Sequence, residues 1–183
     1  QEGAKTDLVA RQTAIDELTP LTRVGVQVRH WLSVKTQPVK PLLHAWRRLL
    51  PHGAEVVSYF ELLAAGEAGF KNENIVVNGP GKHTWLPQGM GGLRVHLDSL
   101  REVETIGPRR LSSYHLGLRC HVDEEYDPDE KTFGAQFGVV AEEASRIVEV
   151  LAAHKLQLEG VHRGLQRDVP RAGHPPRDVA HVR

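Results

Sequence analysis

The 183-residue sequence predicts an α/β fold with a parallel sheet. Three observations carry that expectation. Six short apolar runs read as strands, most are followed by a stretch of helical periodicity, and two of the helix starts carry the same Ser-x-x-Glu signature. Alternation of β and α elements favours a parallel sheet covered by helices.

The elements are justified in chain order. Residues 7–18 read as an amphipathic N-terminal helix. Residues 25–35 hold the first strand, rich in Val and closing on Trp31-Leu32-Ser33-Val34-Lys35. Val39, Leu42, Leu43, Trp46, Leu49 and Leu50 follow the i, i+3, i+4, i+7 spacing of one helical face. Residues 55–57 form a short strand, and Ser58 with Glu61 is a capping box for the next helix. Residues 74–78 read as a buried strand leading into the turn Gly79-Pro80-Gly81. Residues 93–98 make the fourth strand, after which Ser99 and Glu102 repeat the capping box, so Asp98, Ser99 and Glu102 are assigned to the helix entry. A longer strand spans 114–122 and runs into an acidic loop. Val140, Ala144, Ile147, Val148 and Leu151 mark a further helix, and 157–162 is the sixth strand. A doubly wound open sheet and a (β/α) barrel both accommodate this order. With eight strands and about 250 residues typical of a full barrel, six strands would make an incomplete one.

Composition excludes several classes of function. Lys and Arg total 23 against 23 Asp and Glu, so no global basic excess attracts nucleic acid. No run approaches the roughly 18 apolar residues of a membrane span, and no stretch reads as a secretory signal. Cys120 is the only cysteine, which points to a reducing, cytoplasmic compartment and to a core residue rather than a nucleophile. The 11 histidines show no metal-site spacing, with His115 and His121 six apart and no HExxH. The acidic residues at 123–130 lack EF-hand spacing and read as a solvated loop. Residues 163–183 carry five Arg, two Asp and three Pro with no period, and are expected to be a basic, disordered tail. Glutamine at position 1 suggests a fragment or a processed product.

Lys35 is the residue that chemistry singles out. A lysine at the carboxyl end of a sheet strand lies where α/β proteins place ligands. Partly desolvated there, its amine could attack a carbonyl; a strand-end lysine whose stem snorkels is the plainer alternative.

Ordered segments around it resemble a known family. WLSVKTQP at 31–38, EVVSYFEL at 55–62, ENIVVNGPGK at 73–82, LRVHLDSLREVE at 93–104, LGLRCHV at 116–122, QFGV at 136–139 and LEGVH at 158–162 stand in the order found in the barrel-type, alanine-racemase-like amino-acid decarboxylases. These are the ornithine, diaminopimelate and arginine decarboxylases that use pyridoxal 5'-phosphate. The resemblance covers about residues 20–162. It implies a partial (β/α) TIM-type barrel of about six of eight βα units over residues 1–162, with 163–183 outside the fold. It implies a Schiff base between the cofactor and Lys35, with Ser58, Arg119 and His162 at the cofactor. An amino-acid substrate, and a homodimer for full-length relatives, are likewise implied. Arg119 as a strand-end ion pair and Ser58 as a cap remain the simpler alternatives. The family's second, ring-stacking histidine is matched by Gly164, and its phosphate loop, pyridine partner and C-terminal β domain have no counterpart in the sequence. A noncatalytic relative that binds a partner or carries the cofactor, and a racemase-like enzyme, are the alternatives to a decarboxylase.

Overall fold

The computed structural model describes residues 29–36, 38–49, 52–121 and 137–162, together with Thr13 and Gly25. The expected helix at 7–18, the acidic loop and the tail at 163–183 lie outside the described residues, apart from Thr13.

Six strands follow one another in a single sheet of order β1-β2-β3-β4-β5-β6. They are β1 (Trp31–Ser33), β2 (Gly53–Val56), β3 (Ile75–Val77), β4 (Arg94–Leu97), β5 (His115–Arg119) and β6 (Leu158–His162). Every neighbouring pair is parallel. The helices are α1 (Lys40–Leu49), α2 (Tyr59–Glu67), α3 (Lys82–Trp85), α4 (Leu100–Ile106), α5 (Pro108–Leu111) and α6 (Ala141–Ala153). All six expected strands are present, and all but β2, which starts two residues early at Gly53, are shorter than the apolar runs, because a strand ends where its ladder ends and not where hydrophobicity does. β1 closes at Ser33, and Val34–Thr36 turn into a 3₁₀ segment. Lys35 therefore sits on that turn, not on the strand, and it is exposed rather than partly desolvated. The short helices α3 and α5 were not expected; their four residues are too few to show a period.

Both capping boxes form. Ser58 Oγ accepts from the Glu61 N–H at 3.3 Å, and Ser99 Oγ accepts from the Glu102 N–H at 3.2 Å. The returning carboxylates reach one residue further back than the box requires, to the N–H groups of Val57 and Asp98.

One face of the sheet holds the apolar core. Leu32, Val34, Ala54, Val56, Ile75, Val77, Val95, Leu97, Leu116 and Leu118 are buried in one cluster with Leu43 and Trp46 of α1, Leu62 of α2, Val103 of α4 and Ile147 and Leu151 of α6. Val39, expected on the buried face of α1, is instead exposed. The alternate strand positions face the other way and are largely polar: Ser33, Glu55, Asn78, Arg94, His96, Asp98, Arg119 and His162. Rings lie over glycines on this face. A Cβ on Gly53 would meet the Trp31 indole at 2.4 Å, and one on Gly117 would meet the His96 ring at 2.5 Å.

Contacts on this polar face decide between the two architectures. Neighbouring strands lie about 4.8 Å apart, so a flat sheet would separate β3 from β6 by roughly 14 Å and β4 from β6 by roughly 10 Å. Yet Asn78, just past β3, stands 3.2 Å from His162 at the end of β6. His96 of β4 stacks on the same ring with centroids 4.9 Å apart. The sheet therefore curls around its polar face, as a barrel wall does, with the helices outside.

Candidate functional site

The carboxyl ends of the strands converge on a small polar region inside the curl. Asn78 is buried, and its backbone N–H donates to the Val56 carbonyl at 2.9 Å. Its side-chain Nδ2 donates to Glu55 Oε1 at 2.7 Å and lies 3.2 Å from His162 Nδ1. The Asn78 Oδ1, the His96 Nδ1 and the Ser33 Oγ are buried without a hydrogen-bond partner. Burial without a partner is costly for a polar atom, and three such atoms on one concave face mark it as a place for water or a polar ligand.

Beside it lies a chain of alternating charges. Lys82 is fully buried, and its ammonium lies 2.8 Å from Asp98 Oδ2 and 2.9 Å from Glu102 Oε2, while also donating to the Gly79 carbonyl. Asp98 Oδ1 faces Arg119 Nη1 at 3.6 Å, and the Arg119 guanidinium covers the Phe137 ring at 4.6 Å. Two cations and two carboxylates balance, and the pairing holds Arg119 at the strand tips. Asp98 and Glu102 thus do more than the expected capping, while Ser99 is the N-cap residue itself.

The electrostatics follow from this packing. Burial lowers the His96 pKa to about 4, with the neighbouring His162 adding to the effect. The His162 pKa is lowered by burial first and then by Arg119, with a smaller contribution from Lys35. Lys35 follows β1 and His162 ends β6, so the curl brings the two edges of the sheet within electrostatic reach. The expected site residues fall in two groups. Arg119 and His162 project into the polar region, and Lys35 lies at its rim, exposed and with no hydrogen bond or ion pair among the described residues. Ser58 caps α2, its Oγ accepting from the Glu61 N–H, and its hydroxyl donates to no acceptor among the described residues. Cys120 is a free thiol whose pKa burial raises, which disfavours the thiolate. Among the described residues no cluster of three His, Cys, Asp or Glu could hold a metal ion. His115 instead meets Glu159 at 2.6 Å. Glu55, His96 and Lys82 were not singled out from the sequence. The strict alternation Arg94-Val95-His96-Leu97-Asp98 was the available signal for His96.

The fold is similar to that of the barrel in solved amino-acid decarboxylases. No family model matches the chain, and no curated protein matches it. Among solved structures it is similar to the arginine decarboxylase of Paramecium bursaria Chlorella virus, at 18% identity and TM-score 0.68, over 83% of this chain and 41% of that one. It is similar to the M. jannaschii diaminopimelate decarboxylase in complex with L-lysine, at 19% identity and TM-score 0.63, over 76% of this chain and 35% of that one. The Vibrio vulnificus lysine/ornithine decarboxylase complexed with putrescine follows at 15% identity and TM-score 0.59, over 74% and 35%. The chain thus spans about two-fifths of the length of these enzymes or less. Among the described residues no helix is long and apolar enough to cross a membrane.

Proposed function

We propose that residues 1–162 are the cofactor-binding barrel portion of a pyridoxal-phosphate-dependent amino-acid decarboxylase, with Lys35 as the residue that condenses with the cofactor aldehyde. The observation that carries this reading is the gathering of Lys35, Arg119 and His162 at the strand tips of a parallel barrel wall similar to those of arginine, diaminopimelate and ornithine decarboxylases. The residues present suit the aldehyde end of an anionic cofactor. Lys35 offers an amine that no carboxylate neutralises among the described residues. Arg119 offers a fixed positive charge, His162 an uncharged imidazole, Asn78 an unpartnered acceptor, and Ser58 a hydroxyl hydrogen. When bound, pyridoxal phosphate supplies the electron sink that accepts the pair released as carbon dioxide leaves. The chain's own residues orient and polarise: the Asp98–Lys82–Glu102 cluster holds Arg119, and the half-buried imidazoles limit water at the tips.

A second reading, a noncatalytic relative that carries the cofactor or binds a partner, draws on the exposure of Lys35. Catalytic lysines are activated by desolvation, and this one is not desolvated. A cytoplasmic location, an amino-acid substrate and homodimerisation belong to the first reading.

The test is chemical fixation. Full-length chain is incubated with pyridoxal phosphate, reduced with borohydride and mapped by mass spectrometry. Modification concentrated on Lys35, and lost in Lys35→Ala, is the expected result; uniform labelling of exposed lysines, or none, overturns it. Release of carbon dioxide from basic amino acids then separates the enzyme from the carrier.

A further inference from the structure

We propose that Asn78, anchored by Glu55, is a positioning residue that fixes the tautomer of His162, leaving Nε2–H as a hydrogen-bond donor at the strand tips. The inference rests on the contacts of one amide. Asn78 Nδ2 is 2.7 Å from Glu55 Oε1 and 3.2 Å from His162 Nδ1. A carboxylate can only accept, so the atom facing Glu55 is the NH₂ group and not the carbonyl oxygen. That group has two hydrogens. One goes to Glu55 and the second points to His162 Nδ1, which must then be the bare, accepting nitrogen. In a neutral imidazole the hydrogen consequently sits on Nε2. A flipped Asn78 would set its oxygen against the Glu55 oxygens, two acceptors facing each other at 2.7 Å.

The surroundings keep the ring neutral and in place. His96 of β4 stacks on it at 4.9 Å with planes 23° apart. Burial and the Arg119 charge from β5 oppose protonation, with a smaller push from Lys35 beyond β1; Glu55 of β2 and Asp98 beyond β4 act in the opposite sense. His162 is only half-buried, and its Nε2 is not among the buried polar atoms lacking a partner. What it suits is an anionic or carbonyl oxygen brought to the tips beside Arg119. This goes beyond the cofactor assignment, because it concerns the ring's proton whatever occupies the site.

The experiment is ¹⁵N NMR of imidazole-labelled full-length chain without cofactor, near neutral pH, with the His162 signals assigned by their absence in His162→Gln. His162 is expected to show a bare, pyridine-type Nδ1 and a protonated, pyrrole-type Nε2. Asn78→Ala raises the Nδ1–H population about fivefold, the loss of one neutral hydrogen bond. Asn78→Asp, offering only acceptors, inverts the pattern and raises the pH at which the ring titrates. Should the second carboxylate prevent folding, Glu55→Gln frees the amide to turn and also raises the Nδ1–H population. Protonated Nδ1 in the unaltered chain, or a tautomer ratio indifferent to these substitutions, overturns the proposal. Since no cofactor is present, its failure is separate from failure of Lys35 fixation.

Discussion

At the scale of single residues, the molecule places its charges where neighbours offset them. Lys82 is enclosed, and its ammonium is tolerable only because Asp98 and Glu102 face it at 2.8 and 2.9 Å. Removing one member of a buried ion cluster leaves uncompensated charge, which typically destabilises by about 3–5 kcal/mol. Lys82→Met is therefore expected to lower the unfolding free energy by about that much, measured as a reduced urea midpoint at pH 7. A loss under about 1 kcal/mol would mean that Arg119 alone satisfies both carboxylates. Lys40, in contrast, pairs with Glu67 at 2.6 Å on the open surface. There the same chemistry contributes little, because water screens both groups.

At the scale of elements, the helix starts were the most legible feature and the strand ends the least. Ser58 and Ser99 announce their helices through local hydrogen bonds that need no tertiary context, so the sequence shows them directly. Ser99→Ala is expected to reduce stability by about 1 kcal/mol and to leave borohydride labelling of Lys35 unchanged. Ser58→Ala should lose a similar amount and weaken the labelling as well, if its hydroxyl meets the cofactor; urea melts and the mass-mapping assay read both. Lys35 falls two residues past β1 because hydrophobicity continues through Val34 while the ladder stops at Ser33. Glu55 and His96 are not legible, for a different reason. Glu55 meets Asn78 from the end of the next strand and His96 meets His162 from two strands away, and nothing local announces such a meeting. The alternation in β4 did carry information. Strands covered by helices on both faces are apolar throughout, so polar residues at every second position speak for a barrel lumen over an open sheet.

At the scale of the whole molecule, histidines with lowered pKa values, His96 and His162 at the strand tips among them, make the fold sensitive to acid. The folded chain disfavours protonation of His96, whose pKa is about 4, and of His162 in the same direction. The unfolded chain protonates both near the ordinary value of about 6.5. Below that pH it binds more protons than the folded chain, so stability is full above about 6.5 and declines as pH falls toward 4. The His96 contribution is on the order of 3 kcal/mol. Urea midpoints at pH 7.5 and 4.5 should differ accordingly, and His96→Leu should shrink the difference. The arrangement of strands has one more consequence. β6 ends the order of the sheet and among the described residues shares a ladder with β5 alone, and Val161 is 72% exposed. Asn78 and Arg119 adjoin strands bonded on both flanks, whereas His162 rides on the outermost strand. His162 therefore keeps its imidazole opposite the amide only while the β5–β6 ladder holds, as a latch meets its keeper only while the gatepost stands.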